Sequence, residues 1–139
     1  MMKNEKESFE FLEHTADIKI RCKAKTLEKS FEIAAEALSN YLSQERPVKA
    51  KKVKEIKITG NDYNSLLYKF IEEILYLIDA ERFIVSKAKV ALKKSILTAR
   101  IYGDNSSKYN IQQIKSPTYA EMSIKKSEQN WLVEFVIDV

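Results

Sequence analysis

The residues of this chain that could do chemistry include two aspartates from opposite ends of the sequence. Asp17 follows His14-Thr15-Ala16 and precedes a run of alternating apolar and polar residues, so it is expected at the start of a strand. Asp138 is the penultimate residue of an apolar run that begins at Trp131, and it is expected at the end of a strand. If the two strands are antiparallel neighbours, Asp17 and Asp138 meet in space.

Such a pair of carboxylates favours a hard cation, because Ca²⁺ and Mg²⁺ prefer oxygen ligands. Val139 adds its α-carboxylate, which is ionised at neutral pH, close to the same point. Three carboxylates repel one another unless a cation or a basic side chain neutralises them. The residues alone leave an alternative, in which Asp17 caps a turn and Asp138 is a solvated terminal residue.

Other kinds of site are excluded by composition. His14 is the only histidine, so a two-histidine metal site is impossible; it either supports the turn that holds Asp17 or has a functional role of its own. Cys22 is the only cysteine, which excludes an internal disulfide and a cysteine-based zinc site, and it is expected to pack as a small hydrophobe. Two glycines cannot build a usual phosphate-binding loop, and no serine stands in a nucleophile-elbow context.

Length and composition predict one domain over residues 1–139, with residues 1–8 as a polar tail. A formal net charge of +4 permits an RNA or acidic-protein partner but does not require one. The charged first residues do not form a signal peptide, and no apolar run is long enough to span a membrane. With a single cysteine, these features predict a cytoplasmic protein without a membrane partner.

Two helices must position the strands that carry the acids. Thr26 is expected to cap a helix over about 27–42, and Gly60-Asn61-Asp62 precedes a second helix over about 63–79. About eight strand segments surround them. Their predicted ranges are 9–12, 18–22, 55–59, 83–85 with 88–92, 96–102, 111–115, 119–124 and 131–139. The pattern predicts an α+β fold, a single two-layer domain with a mixed β-sheet packed against two main α-helices.

Two polar stretches have their own predictions. The turn-rich residues 103–110 are the best candidate for a mobile loop. The lysines at 49–57 could form a nucleic-acid patch, but an edge strand also carries lysines, because they discourage edge-to-edge aggregation. The second interpretation is favoured here.

Several segments, in order along nearly the whole chain, closely resemble the archease family. They are 11–18 (FLEHTADI), 27–31 (LEKSF), 60–62 (GND) with 66–77 (LLYKFIEEILYL), 114–119 (IKSPTY) and 136–139 (VIDV). Two positions depart from the family pattern. Ala120 stands where the family often carries a histidine, and Pro117 removes a backbone donor, which could alter local strand pairing.

The resemblance implies a protein cofactor of the tRNA-splicing ligase RtcB rather than an enzyme. Such a protein stimulates guanylylation of the ligase, allows it to turn over repeatedly in tRNA ligation, and broadens the nucleoside triphosphates that it accepts. The resemblance also implies calcium, or another hard divalent cation, bound by Asp17, Asp138 and Val139. It further implies a functional lysine, Lys115, with His14 in a supporting role, and leaves RNA contact indirect. The alternatives are a small basic RNA-binding module that uses the lysines at 49–57 and 87–94, and a chaperone-like protein.

Overall fold

The structure, a computed structural model, describes residues 7–13 and 17–139, and of Glu13 it describes the backbone. The predicted supporting residue His14 lies outside the described residues. The helices are α1 (Leu27–Leu42) and α2 (Tyr63–Glu81), and a turn of 3₁₀-helix spans Ser106–Lys108. The strands are β1 (Ser8–Glu13), β2 (Asp17–Ala24), β3 (Lys52–Thr59), β4 (Phe83–Lys93), β5 (Ile96–Asn105), β6 (Ser116–Lys126) and β7 (Trp131–Asp138).

Both helices begin where side-chain caps are available. The Thr26 hydroxyl accepts the backbone N–H of Lys29 at 3.0 Å, and the Asp62 carboxylate accepts that of Ser65 at 2.8 Å. Each cap satisfies an N–H group that the first helical turn leaves without a partner. Helix α1 has the predicted bounds, and α2 runs two residues beyond the predicted end, to a left-handed residue, Arg82, at φ 54°. The α+β class with two main helices is therefore confirmed.

The described strands form two sheets, and every pairing between them is antiparallel. Sheet A has the order β1-β2-β7-β6, and sheet B has the order β3-β5-β4. The prediction of one mixed sheet is wrong in this respect. Three pairs of consecutive strands are hairpins, which are antiparallel by construction. Strands β3 and β4, which α2 connects, are separated by β5, so they do not pair as a parallel βαβ unit would.

The helices fill the space on the inner faces of the two sheets. Helix α1 packs against β2 of sheet A and β4 of sheet B, while α2 packs against β6, β4 and β3. The helices meet where the Phe31 and Phe70 rings lie 6.0 Å apart, and both rings are fully buried. Cys22 is buried in the same core, and this burial raises the pKa of its thiol. It is a packed small hydrophobe, as predicted.

Two predicted segments differ from the structure. Residues 111–115 are not a strand: the Gln112 N–H donates to Leu42 O, and the Lys115 N–H to Asp138 O, each at 2.8 Å, so the segment is fastened to two different elements instead of one ladder. Residues 103–108 form the end of β5 and the 3₁₀ turn, so the irregular part of the predicted loop is confined to residues 109–110. The buried Asp104 carboxylate organises that corner by accepting from the Tyr109 hydroxyl at 2.9 Å.

Neither helix is long and apolar enough to cross a membrane, within the part of the chain that the structure describes.

Candidate functional site

The two predicted aspartates lie opposite each other on adjacent strands of sheet A. Asp17 begins β2, Asp138 ends β7, and the antiparallel register pairs them directly. Directly opposed residues of an antiparallel pair point to the same face, with Cβ atoms about 5 Å apart. Both residues are half-buried. We call Asp17, Asp138 and Val139 the carboxylate tip.

Lys115 is fastened to the carboxylate tip through its backbone. Its N–H donates to the carbonyl oxygen of Asp138 at 2.8 Å, and the next residue, Ser116, pairs with Asp138 across β6 and β7. The Lys115 side chain is exposed, and Val139 follows as the last residue with 37% of its surface exposed. The structure therefore brings Asp17 and Lys115 to the end of sheet A where Asp138 and Val139 lie, although the sequence places them far from these two residues.

The donor chemistry of the tip fits a hard divalent cation. Its candidate ligands are two aspartate carboxylates and one terminal carboxylate, all of them anionic oxygens. Among the described residues, no group of three or more histidine, cysteine, aspartate or glutamate side chains is arranged to hold a metal ion. Calcium takes about six to eight oxygen ligands. The tip would therefore supply only part of a coordination shell and leave positions for water or for a partner's oxygens.

A ladder of paired charges continues from the tip along the same face of sheet A. Glu134 accepts from the Arg21 guanidinium at 2.6 Å and lies 3.5 Å from the Lys19 ammonium. The Arg21 guanidinium also contacts Glu10 at 3.0 Å, and the Lys19 ammonium contacts Glu121 at 3.1 Å. Each cation thus touches two acids, which holds long side chains in fixed positions beside the carboxylate tip.

The pKa values of these groups reflect their pairing. Burial alone would raise the pKa of Glu134, but the hydrogen bond from Arg21 and the charges of Arg21 and Lys19 outweigh it and hold that pKa below its usual value. The hydrogen bond to Glu121 raises the pKa of Lys19. Pairing therefore favours the charged forms of the Glu134 carboxylate and the Lys19 ammonium.

The strand beside the tip carries a bulge that the sequence analysis does not predict. The register between β6 and β7 shifts between Thr118, which pairs with Val136, and Ser123, which pairs with Glu134, so four residues of β6 span the width of one residue of β7. Within the bulge the Tyr119 ring stacks on the Tyr68 ring of α2, with centroids 4.2 Å apart and planes 7° apart. Glu121 adopts a left-handed φ of 60°, a rare backbone conformation. The bulge thus directs Tyr119 to α2 and Glu121 to Lys19.

The two departures from the family pattern both lie in this strand. Pro117 is buried and pairs with Ile137, and it is tolerated because β6 is an edge strand of sheet A. Ala120 is an exposed residue of the bulge, and its N–H donates to the Thr118 hydroxyl at 2.9 Å. The pairing of β6 with β7 is therefore kept at Pro117. The position where the family often carries a histidine, Ala120, lies at the surface.

A groove of ≈ 360 Å³ runs from Lys115 along α2. One wall is the irregular segment 111–115 with the start of β6, and the other is the second half of α2. Leu75, Ile78 and Ile114 give the groove an apolar floor, while Glu72 and Asp79 give it an acidic rim. Sequence analysis misses the groove because it forms only where the predicted strand 111–115 leaves the sheet.

Comparison with known proteins identifies the family. The archease protein family (MTH1598/TM1083) matches residues 9–139, and the chain belongs to this family. The protein archease of Sulfurisphaera tokodaii is 34% identical over 138 residues, covering 96% of this chain and 99% of the relative. The protein archease of Pyrococcus furiosus is 36% identical over 139 residues, covering 94% and 98% respectively.

Solved structures agree with the fold. The solution structure of Methanobacterium thermoautotrophicum protein 1598 matches with a TM-score of 0.76 and 26% identity, over 95% of this chain and 99% of that one. The crystal structure of a Thermotoga maritima archease, described as a possible chaperone, matches with a TM-score of 0.63 over 92% and 94%. Its 17% identity shows the shared fold alone.

Proposed function

We propose that this protein is a cytoplasmic activator of an RtcB-type tRNA-splicing ligase and a protein cofactor rather than an enzyme. It promotes guanylylation of the ligase, its multiple turnover in tRNA ligation, and its use of other nucleoside triphosphates. The observation that carries the proposal is the register of sheet A, which sets Asp17 opposite Asp138 and ties Lys115 to Asp138. These are the residues that the family resemblance assigns to function.

The proposed action follows from the charges of the tip. Guanylylation joins a nucleotide to the ligase in a charged step that depends on metal ions. Asp17, Asp138 and the Val139 carboxylate would hold a calcium ion or another hard divalent cation, whose charge would offset their mutual repulsion. The tip leaves part of the coordination shell open, so a partner's phosphate or carboxylate oxygens could complete it at the ligase active site.

Lys115 would supply a positive charge beside the carboxylates of the tip. Its backbone is fixed by the hydrogen bond to Asp138, while its side chain is exposed and free to reach a partner. An ammonium group on a flexible stem is suited to neutralising phosphate oxygens or one of the tip carboxylates. The charge ladder of Lys19, Arg21 and Glu134 would keep β2 and β7 in register beneath it.

The test measures guanylylation and multiple-turnover ligation by an RtcB-type ligase, with and without this protein. Asp17→Ala and Asp138→Ala should each abolish stimulation, and Lys115→Ala should reduce it strongly. Glu128→Ala is the matched control, because it removes one exposed acid from the turn between β6 and β7 and should leave stimulation unchanged. Wild-type stimulation by either aspartate variant would refute the role of the tip.

Two further measurements distinguish an effect of the bound ion from an effect on the stability of the fold. Calcium should raise the melting temperature of the wild-type protein and not that of Asp138→Ala, since a ligand that binds only the folded state stabilises it. A short polar extension after Val139 should weaken stimulation while leaving the melting temperature without calcium unchanged. An extended protein that stimulates the ligase as well as the wild type would exclude the terminal carboxylate from the site.

A further inference from the structure

The outer face of sheet B is an open surface far richer in cations than the rest of the molecule. Its side chains come from four cross-strand rows, in the order β3-β5-β4. The rows are Val53-Tyr102-Lys87, Glu55-Arg100-Lys89, Lys57-Thr98-Ala91 and Thr59-Ile96-Lys93. Ten of these twelve residues are exposed, and Tyr102 and Ile96 are partly so. We call this surface the basic face.

The basic face has an excess of positive charge that equals that of the whole chain. It carries four lysines and one arginine against one acid, a formal +4, and the net charge of the chain is also +4. The rest of the sequence is therefore neutral in formal charge. Cations gathered on one face create a local field that a neutral surface lacks, and this field attracts polyanions.

Most of these cations have no acidic partner among the described residues. Lys57, Lys89 and Lys93 make no ion pair with any residue that the structure describes. The exception is Arg100, whose guanidinium lies 3.4 Å from the Glu55 carboxylate, with both side chains mostly exposed. The three lysines therefore retain their full charge for a ligand, without an internal contact that must first be broken.

The shape of the basic face suits an extended chain. Ala91 and Thr98 are the small members of the third row, and a shallow depression of ≈ 660 Å³ crosses the three strands there. At one end of it lies the Tyr102 ring, with the Lys87 ammonium 5.6 Å from its centroid. Cations around a trough with an aromatic ring at one end are the parts from which single-stranded nucleic-acid sites are built.

We propose that the basic face binds single-stranded RNA, with Lys57, Lys89 and Lys93 contacting phosphates and Tyr102 offering a ring for a base. A repeating anion fits a surface whose β4 cations, Lys87, Lys89 and Lys93, stand about 6.7 and 13 Å apart, two and four residues along the strand. A membrane surface fits less well, because the centre of the face lacks large apolar side chains that could enter lipid. The choice of RNA over DNA rests on the proposed function, whereas the proposed phosphate contacts are independent of it.

The test uses the purified protein alone, so its outcome is independent of ligase stimulation. Fluorescein-labelled oligouridylate is titrated by anisotropy at low and moderate salt. With three to four phosphate contacts, affinity should fall roughly 20- to 50-fold between about 50 and 200 mM salt. The variant Lys57→Gln/Lys89→Gln/Lys93→Gln should bind at least about tenfold more weakly and lose most of this salt dependence.

The matched control makes the same change in net charge away from the basic face, on and beside sheet A. Lys23→Gln/Lys25→Gln/Lys125→Gln removes three lysines outside the basic face and should bind within about twofold of the wild type. Equal loss of binding in both triple variants would show a non-specific charge effect and overturn the proposal. Tighter binding of oligothymidylate, of polyglutamate or of phosphatidylserine vesicles than of oligouridylate would also overturn it.

A second measurement locates the contact without mutation. Acetylation of exposed lysines, followed by mass spectrometry, should show protection of Lys57, Lys89 and Lys93 in the presence of oligouridylate. Lys25 and Lys125 should react equally with and without RNA. Protection of the second set in place of the first would place RNA on a different surface and refute the proposal.

Discussion

The outer faces of the two sheets carry similar side chains and use them in opposite ways. On sheet A, Lys19 and Arg21 each touch two acids, and Glu134 lies between them with only 16% of its side chain exposed. On sheet B, the lysines of the basic face make no ion pair with a described residue, and the Glu55–Arg100 pair is mostly exposed. The charges of the ladder on sheet A are therefore satisfied within the molecule, whereas the lysines of the basic face are offered to the solvent.

This difference matches the roles that we propose for the two faces. The carboxylate tip lies on the sheet whose charges are paired, and such pairs fix the strands that bring Asp17 and Asp138 together. A tip that docks on a partner needs its geometry set in advance, because ordering it on binding would cost affinity. An electrostatic surface for a flexible polyanion needs accessible charge more than fixed geometry. The comparison predicts different sensitivities to mutation on the two sheets.

The largest expected effect comes from the backbone of sheet B. Gly103 of β5 is buried, and a Cβ there would press against the Ile84 carbonyl oxygen and lie 2.8 Å from the Phe83 ring. Neither the backbone nor a buried ring can give way cheaply, so Gly103→Ala should lower the free energy of unfolding by about 3 kcal/mol or more. Urea denaturation measures the change.

The control for this change lies on the same strand. Thr98→Ala removes atoms from the exposed side of β5 and should alter the free energy of unfolding by no more than about 0.5 kcal/mol. If Gly103→Ala were as mild as Thr98→Ala, the close approach of β5 to β4 would not constrain sheet B.

The next effect compares one acid from each face. Glu134→Gln removes the charge that Lys19 and Arg21 share and should destabilise the protein by about 1–2 kcal/mol. Glu55→Gln removes the exposed acid of the basic face and should change stability by less than about 0.5 kcal/mol, because exposed pairs are screened by water and salt. Equal effects would break the contrast between the two sheets.

The smallest effect is a dependence on pH. Because the pKa of Glu134 is lowered in the folded protein, its charge stabilises the fold above the ordinary carboxyl pKa of about 4.3. That contribution is lost as pH falls through the lowered pKa. The stability difference between the wild type and Glu134→Gln should therefore shrink between about pH 5 and pH 2 in thermal denaturation. A difference that stayed constant over this range would contradict an electrostatic origin.

The sequence predicts the helices well, for local reasons. Thr26 and Asp62 are caps whose hydrogen bonds reach only three residues ahead. The apolar stripes that follow have a helical period, so their bounds are local properties. The meeting of Asp17 and Asp138 is predicted only on the condition that their strands are antiparallel neighbours, and the register of β2 and β7 meets that condition.

The rest depends on contacts that no local pattern encodes. Residues 111–115 have the composition of a strand, yet their backbone bonds go to Leu42 and Asp138 on separate elements. The bulge at 119–122 is favoured by the stacking of Tyr119 on Tyr68, which lies far away in sequence. The sequence shows the lysines at 49–57 and 87–94 as two separate groups. They contribute to one surface only because β5 pairs between β3 and β4.

The pairing of β2 with β7 has a consequence for how the protein becomes functional during folding. The Arg21–Glu134 contact closes a loop of 113 residues, among the longest that this chain can form. Contacts of such high sequence separation carry a large loop-closure cost, so proteins dominated by them fold slowly. The contacts that assemble the tip are thus among those with the greatest sequence separation in the chain. Hairpin contacts, which join residues close in sequence, have a smaller loop-closure cost. A molecule in which Asp17 lies beside Asp138 has therefore already formed the strand pairing that joins residues farthest apart in the sequence.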